Sequence, residues 1–124
     1  MSGYIHIEHQ IKFSGSETIG SKQNHEKMCL DNGSMVNTYL ADNGVFKANH
    51  FVQHICENNQ RICYCGVNEN HESSVAELSI CMVSEMYYAM MLHPSLLWKN
   101  IIGSKLWPMA TSYSTYIYNH MPNA

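Results

Sequence analysis

Met35-Val36-Asn37-Thr38-Tyr39-Leu40-Ala41-Asp42-Asn43-Gly44 is the stretch on which the fold turns. Val36, Thr38 and Leu40 fall on one face, and the β-branched and aromatic content at period two predicts a strand over 35–41. Asp42-Asn43-Gly44 then supplies turn chemistry, which leaves the Asp42 carboxylate at the strand's carboxyl end. Ala48, Phe51, Val52, Ile55 and Cys56 recur at three- and four-residue spacing, an amphipathic helix over 47–59. Residues 61–65 read as a short further strand.

Upstream, residues 4–13 alternate, with Ile5, Ile7, Ile11 and Phe13 on one side and Tyr4, His6, Glu8 and Gln10 on the other. That is the pattern of a half-buried strand. Ser16 is placed to cap a helix through about Leu30, with Glu17 in its first turn and Asp31-Asn32-Gly33 as its stop. The apolar stripe of that helix is thin. Downstream, 66–73 is a polar loop, and Ser73 or Ser74 can cap a nearly all-apolar helix that carries Glu77 and runs to about Leu92. Leu106, Met109, Tyr113, Tyr116 and Ile117 predict a last helix, with Pro108 tolerated in its first turn. The expected order is β-α-β-α-β-α-α, an α/β fold in a single domain over 1–124.

Lysine and arginine number 7 against 10 acids, a formal charge of -3, so there is no general attraction to a polyanion. Between Arg61 and Lys99 no Lys or Arg occurs. With 45% hydrophobic and 14% charged residues the composition is globular. Five cysteines, without a signal peptide or a regular spacing, read as reduced thiols in an intracellular chain. Met90-Met91-Leu92 is soon followed by His93, Pro94 and Ser95, so no membrane span is expected.

Asp42 and Glu77 are each open to a bland reading, one as a turn former and the other as an acid favoured by a helix N-terminus. Together, an acid ending a strand and another on the first turns of a helix are placed to converge on a divalent cation, as two-metal phosphoryl transfer requires.

These acids sit within a longer series. Asp42-Asn43-Gly44-Val45-Phe46, His50-Phe51, Tyr64-Cys65-Gly66-Val67, His71, Val75-Ala76-Glu77, Met91-Leu92-His93, Leu106-Trp107-Pro108 and Tyr118-Asn119-His120-Met121-Pro122 resemble, in collinear order, the integrase core of copia-type LTR retrotransposons. The resemblance implies an RNase H-like fold of the DDE recombinase kind, in which three acids hold two Mg²⁺ ions for DNA cutting and joining. Asp42 would be the second acid and Glu77 the third, both metal ligands, while Asn43, Lys47 and His71 would face nucleic acid. It also implies that the first acid and two strands fall upstream of Met1, so the fold would be partial and N-terminally truncated. Glu8, in mid-strand at a sheet edge, is no substitute for that acid.

Where such cores usually read His-Gln-Asn-Gly-Val-Ala-Glu-Arg, this chain reads His71-Glu72-Ser73-Ser74-Val75-Ala76-Glu77-Leu78, without the glycine or the basic residue. DNA engagement is therefore expected to be weak or ancestral, and catalysis by the chain alone is not expected. Any action on DNA would place it in the nucleus. The alternative is a small protein-interaction or self-associating module, using an open strand edge and a helix face with Met82, Met86, Met90 and Met91. His50 and His54 have a metal-binding spacing, with Cys56 and Cys29 as conceivable company, but no Cys-x-x-Cys accompanies them and a structural role is preferred. Trp107, Tyr113, Tyr116 and Tyr118 can stack on bases, although helical spacing favours core packing.

Overall fold

A computed structural model describes residues 3–65, 70–100 and 105–122, with 70–74 described by backbone alone. The elements are α1 (Gly15–Asp31), β1 (Thr38–Ala41), a 3-10 turn (Val45–Lys47), α2 (Asn49–Glu57), β2 (Arg61–Tyr64), α3 (Asn70–Leu97) and α4 (Trp107–His120). The chain is of the α/β class, with several helices and a small two-stranded parallel sheet. It divides into two compact units, Gln10–Ser73 and the pair of segments Met1–His9 with Ser74–Ala124.

In the Gln10–Ser73 unit, β1 and β2 pair in parallel with Thr38 opposite Arg61 and Ala41 opposite Tyr64. Backbone bonds from Arg61 N to Asn37 O (2.9 Å) and from Cys65 N to Ala41 O (3.0 Å) extend the ladder at both ends. Parallel strands cannot be joined by a tight turn, so the chain must cross over, and α2 is that crossover. Phe51 and Ile55, one helical turn apart, are its buried residues. Phe46 meets Phe51 edge to face at 5.3 Å, and the Tyr64 hydroxyl donates to Phe46 O at 2.9 Å, so the turn before α2 is fixed to the strand after it. Helix α2 ends with Asn59 at a positive φ of 54° and a bond from Gln60 N to Ile55 O, a left-handed cap that aims the chain into β2.

Ser14, rather than Ser16, caps α1, its side chain accepting from Glu17 N at 3.4 Å. Glu17 Oε2 reaches back to the Ile11 and Lys12 backbone N–H groups at 2.9 and 3.0 Å. At the other end Gly33, at φ 76°, allows Ser34 N to reach Cys29 O at 2.8 Å. The helix buries Thr18 and Lys22, not an apolar stripe. Lys22 Nζ pairs with Glu26 Oε1 at 2.8 Å and lies 5.4 Å from the Tyr39 ring centre. The same Glu26 oxygen accepts from the Tyr39 hydroxyl at 2.6 Å and from Gln60 Nε2, which also donates to Val36 O at 3.0 Å. One carboxylate thus ties α1 to β1 and to the residue that enters β2.

The expected first strand does not form. Residues 3–13 are irregular; Ile11 and Phe13 are 95% and 83% exposed. A strand needs a neighbour for its backbone groups, and among the described residues the polar groups of this segment go elsewhere. The Asn119 side chain both donates to Ile5 O (2.7 Å) and accepts from Ile5 N (2.9 Å), and His9 Nε2 meets Ser112 Oγ at 3.0 Å. The observed order is therefore α-β-α-β-α-α. On β1 the Thr38 and Leu40 side is the open one, and Tyr39 and Ala41 turn toward the packing.

Helix α3 begins at Asn70, so Ser73 and Ser74 lie within it, and it passes through Pro94 to Leu97. Its Val75–Leu97 stretch, 23 residues at mean hydropathy 1.3 and 6% buried, is long and apolar enough to cross a membrane by length and composition, contrary to the expectation that His93 and Pro94 end the run. On α4 the buried residues are Ser114 and Thr115. Met109, Tyr113 and Tyr116, expected in the core, are exposed. Tyr113 stacks on Tyr116, and Tyr116 on His120, so these rings cover one another along the helix surface.

Burial pushes the Glu26 carboxyl up, but hydrogen bonds from Lys22, Tyr39 and Gln60 outweigh it and hold the group below its ordinary 4.5. Burial first, then the Glu26 bond, raises the Tyr39 phenol above its ordinary 10.0. The stabilisation from Glu26 is therefore present above 4.5 and lost as pH falls, and that from Tyr39 is present below 10.0 and lost as pH rises. Urea unfolding of the chain is expected to show a stability plateau between those limits. Glu26→Ala, which strands the buried ammonium, is expected to cost about 3 kcal/mol, and Lys22→Met with Glu26→Gln to recover much of that loss.

Candidate functional site

The parallel ladder delivers the chain at Ala41 into the turn Asp42-Asn43-Gly44, at the carboxyl end of β1. In open α/β sheets this is the edge at which ligand sites occur, because the crossover helices leave a crevice there. Asp42 is exposed, and its Oδ1 accepts from Gly44 N at 3.1 Å, closing a turn made by side chain and backbone together. A Cβ on Gly44 would lie 3.2 Å from that same oxygen, so the glycine keeps the turn tight.

Asn43 Nδ2 donates to Cys65 O at 3.4 Å, which links the turn after β1 to the end of β2. Lys47, in the 3-10 turn, holds its ammonium 5.3 Å from the Tyr64 ring centre. This cation–π contact keeps a positive charge at the strand ends and uses the tyrosine that also anchors Phe46. Asp42, Asn43 and Lys47 thus share one edge of one unit. Glu77 lies exposed on α3, which belongs to the other unit. The His71 side chain, and Gly66 and Val67, fall outside the described residues.

Among the described residues no group of three or more His, Cys, Asp or Glu side chains is placed to hold a metal ion. His54, a candidate ligand by spacing, meets Gln23 Nε2 at 3.4 Å and Asn58 Nδ2 at 3.4 Å instead. Cys29 Sγ lies 3.7 Å from His25 Nε2, an i, i+4 pair on α1. Glu8, considered as a stand-in acid, pairs with His6 at 2.9 Å. The polar group that sequence reasoning passed over is the Lys22, Glu26, Tyr39 and Gln60 cluster. Its one local signal is the i, i+4 spacing of Lys22 and Glu26, ordinarily the mark of a solvated helix face. Compared with known proteins, the chain matches no family model, no curated sequence and no solved structure.

Because asparagine keeps the Oδ1 acceptor, Asp42→Asn is expected to unfold in urea within about 0.5 kcal/mol of the unaltered chain, whereas Asp42→Ala loses the turn bond and about 1 kcal/mol. Equal losses in the two variants would show that the turn bond is not what the aspartate contributes to stability.

Proposed function

We propose that the chain is an integrase-core module of the copia retrotransposon type, whose ancestral role was Mg²⁺-dependent DNA integration, and that by itself it has no catalytic activity. The observation that carries this reading is the placement of Asp42, an exposed carboxylate at the carboxyl end of a parallel strand, with Lys47 on the same edge. Glu77, in the first turns of a long helix that follows β2, accords with the same order of elements. The RNase H-like architecture belongs to this proposal, since two strands and a crossover form only a part of such a sheet.

Among the described residues the donors do not make a two-metal site. The 124 residues contain two aspartates, Asp31 and Asp42, and Asp31 is the last residue of α1. Without a described cluster of carboxylates to bridge two cations, Mg²⁺ is held weakly, since it gives up its hydration reluctantly. No catalytic step follows from the residues at hand. DNA contact rests on Lys47, Asn43 and His71, few cationic contacts for a chain of net charge -3.

Thermal melting with Mg²⁺ raised to about 10 mM is expected to show less than about 0.5 kcal/mol of stabilisation, with Asp42→Asn and Glu77→Gln indistinguishable from the unaltered chain. A saturating gain above about 2 kcal/mol that vanishes in Asp42→Asn would reveal a complete site and overturn the reading of incompetence. Retention of duplex DNA at about 50 mM salt and its loss by about 200 mM is the expected binding behaviour; no retention at either salt removes the nucleic-acid part.

A further inference from the structure

His25 and Cys29 stand one turn apart on α1 and share a face of that helix. His25 Nε2 and Cys29 Sγ approach to 3.7 Å, and both residues are half-buried. The backbone that carries them is held from two directions. Glu26, next to His25, is tied to Lys22, Tyr39 and Gln60. Past the helix end, Ser34 N and Asn32 N both donate to the Cys29 carbonyl, at 2.8 and 3.1 Å. The Tyr39 phenol feels the Cys29 sulfur as well as Glu26, so the pair sits on the side of α1 toward β1. Lys22 belongs to the same helical stripe, but its charge is answered by Glu26 at 2.8 Å.

We propose that His25 Nε2 and Cys29 Sγ are a two-point chelate for a tetrahedral, thiophilic cation of the Zn²⁺ type. The separation of the two atoms selects the geometry. A tetrahedral ion with a thiolate at about 2.3 Å and an imidazole nitrogen at about 2.0 Å sets those ligands about 3.5 Å apart. The right angle of an octahedral ion would bring them to about 3.0 Å at the same bond lengths. The observed 3.7 Å is within a small side-chain rotation of the tetrahedral edge. Chemistry selects the ion in the same direction, because sulfur with imidazole favours zinc-like metals over Mg²⁺ or Ca²⁺. On binding, the Cys29 S–H bond breaks, a sulfur–metal and a nitrogen–metal bond form, and the proton passes to solvent with no change of oxidation state. Among the described residues no third His, Cys, Asp or Glu joins the pair, so water completes the coordination. This proposal does not rest on the integrase reading, since neither Asp42 nor Glu77 is a ligand and the ion is of another class.

The test is titration of the full, untagged chain with Co²⁺ under a phosphine reductant, followed by visible and near-ultraviolet absorption. Intense tetrahedral ligand-field bands and a thiolate-to-cobalt charge-transfer band are expected, and Zn²⁺ should bleach both by displacing the weaker-binding ion. Cys29→Ser should abolish the charge-transfer band. His25→Ala and the closer-sized His25→Gln should each weaken binding by about tenfold or more. Cys63→Ser with Cys65→Ser, which removes the Cys-x-Cys pair at the end of β2, should leave the spectrum unchanged. Far-UV circular dichroism checks the folding of each variant. Alkylation of the unaltered chain, mapped peptide by peptide, needs no substitution: Zn²⁺ should protect Cys29 and not the other four cysteines. The weak spectrum of octahedral Co²⁺ overturns the proposal, as does a charge-transfer band that survives Cys29→Ser, an affinity that both His25 variants leave unchanged, or protection confined to other cysteines.

Discussion

Two strands of four residues running in the same direction cannot be neighbours in the chain, and the organisation of the Gln10–Ser73 unit follows from that constraint. The crossover supplies Phe51 and Ile55, the apolar centre of the unit, and it leaves Asp42 at the strand end where the chain departs for α2. A sheet this small has little hydrophobic surface to hold it. Polar chemistry supplies part of the cohesion, since Glu26 accepts from three side chains at once and Lys22 is buried beside it. A buried ion pair contributes modestly to net stability, yet each partner is costly to remove alone, so the cluster specifies one arrangement of α1 against the strands.

The same strand ends explain what the candidate site has and what it lacks. Asp42 is held in a closed turn, Asn43 bridges to Cys65, and Lys47 rests on Tyr64, so side chains of this unit order the edge. A phosphoryl-transfer centre asks for carboxylates that repel one another until cations bring them together. Here the acids that the sequence pairs, Asp42 and Glu77, stand on separate units.

Local periodicity made the helix of Phe51 and Ile55 legible, along with both paired strands and the last helix with Pro108 near its start, because each element's pattern is written within a dozen residues. Asp42 was legible for the same reason, as turn chemistry at a strand end. The alternation of residues 4–13 misled because a period of two reports only that a strand would have two faces; whether a neighbouring strand exists is not a local property. The aromatic stripe of α4 failed in a related way. Ser114 and Thr115 are the buried residues there, while Met109, Tyr113 and Tyr116 stay outside. The Glu26 cluster joins residues 22, 26, 39 and 60, and no single window of sequence contains it.

Incubating the purified chain with end-labelled duplex DNA and Mg²⁺ or Mn²⁺, beside Asp42→Asn and Glu77→Gln, tests most directly whether this chain performs strand chemistry through Asp42 and Glu77. No nicked or joined product from any of the three is the predicted result. Product from the unaltered chain that disappears in both variants would contradict it, and would mean that the carboxylates present suffice.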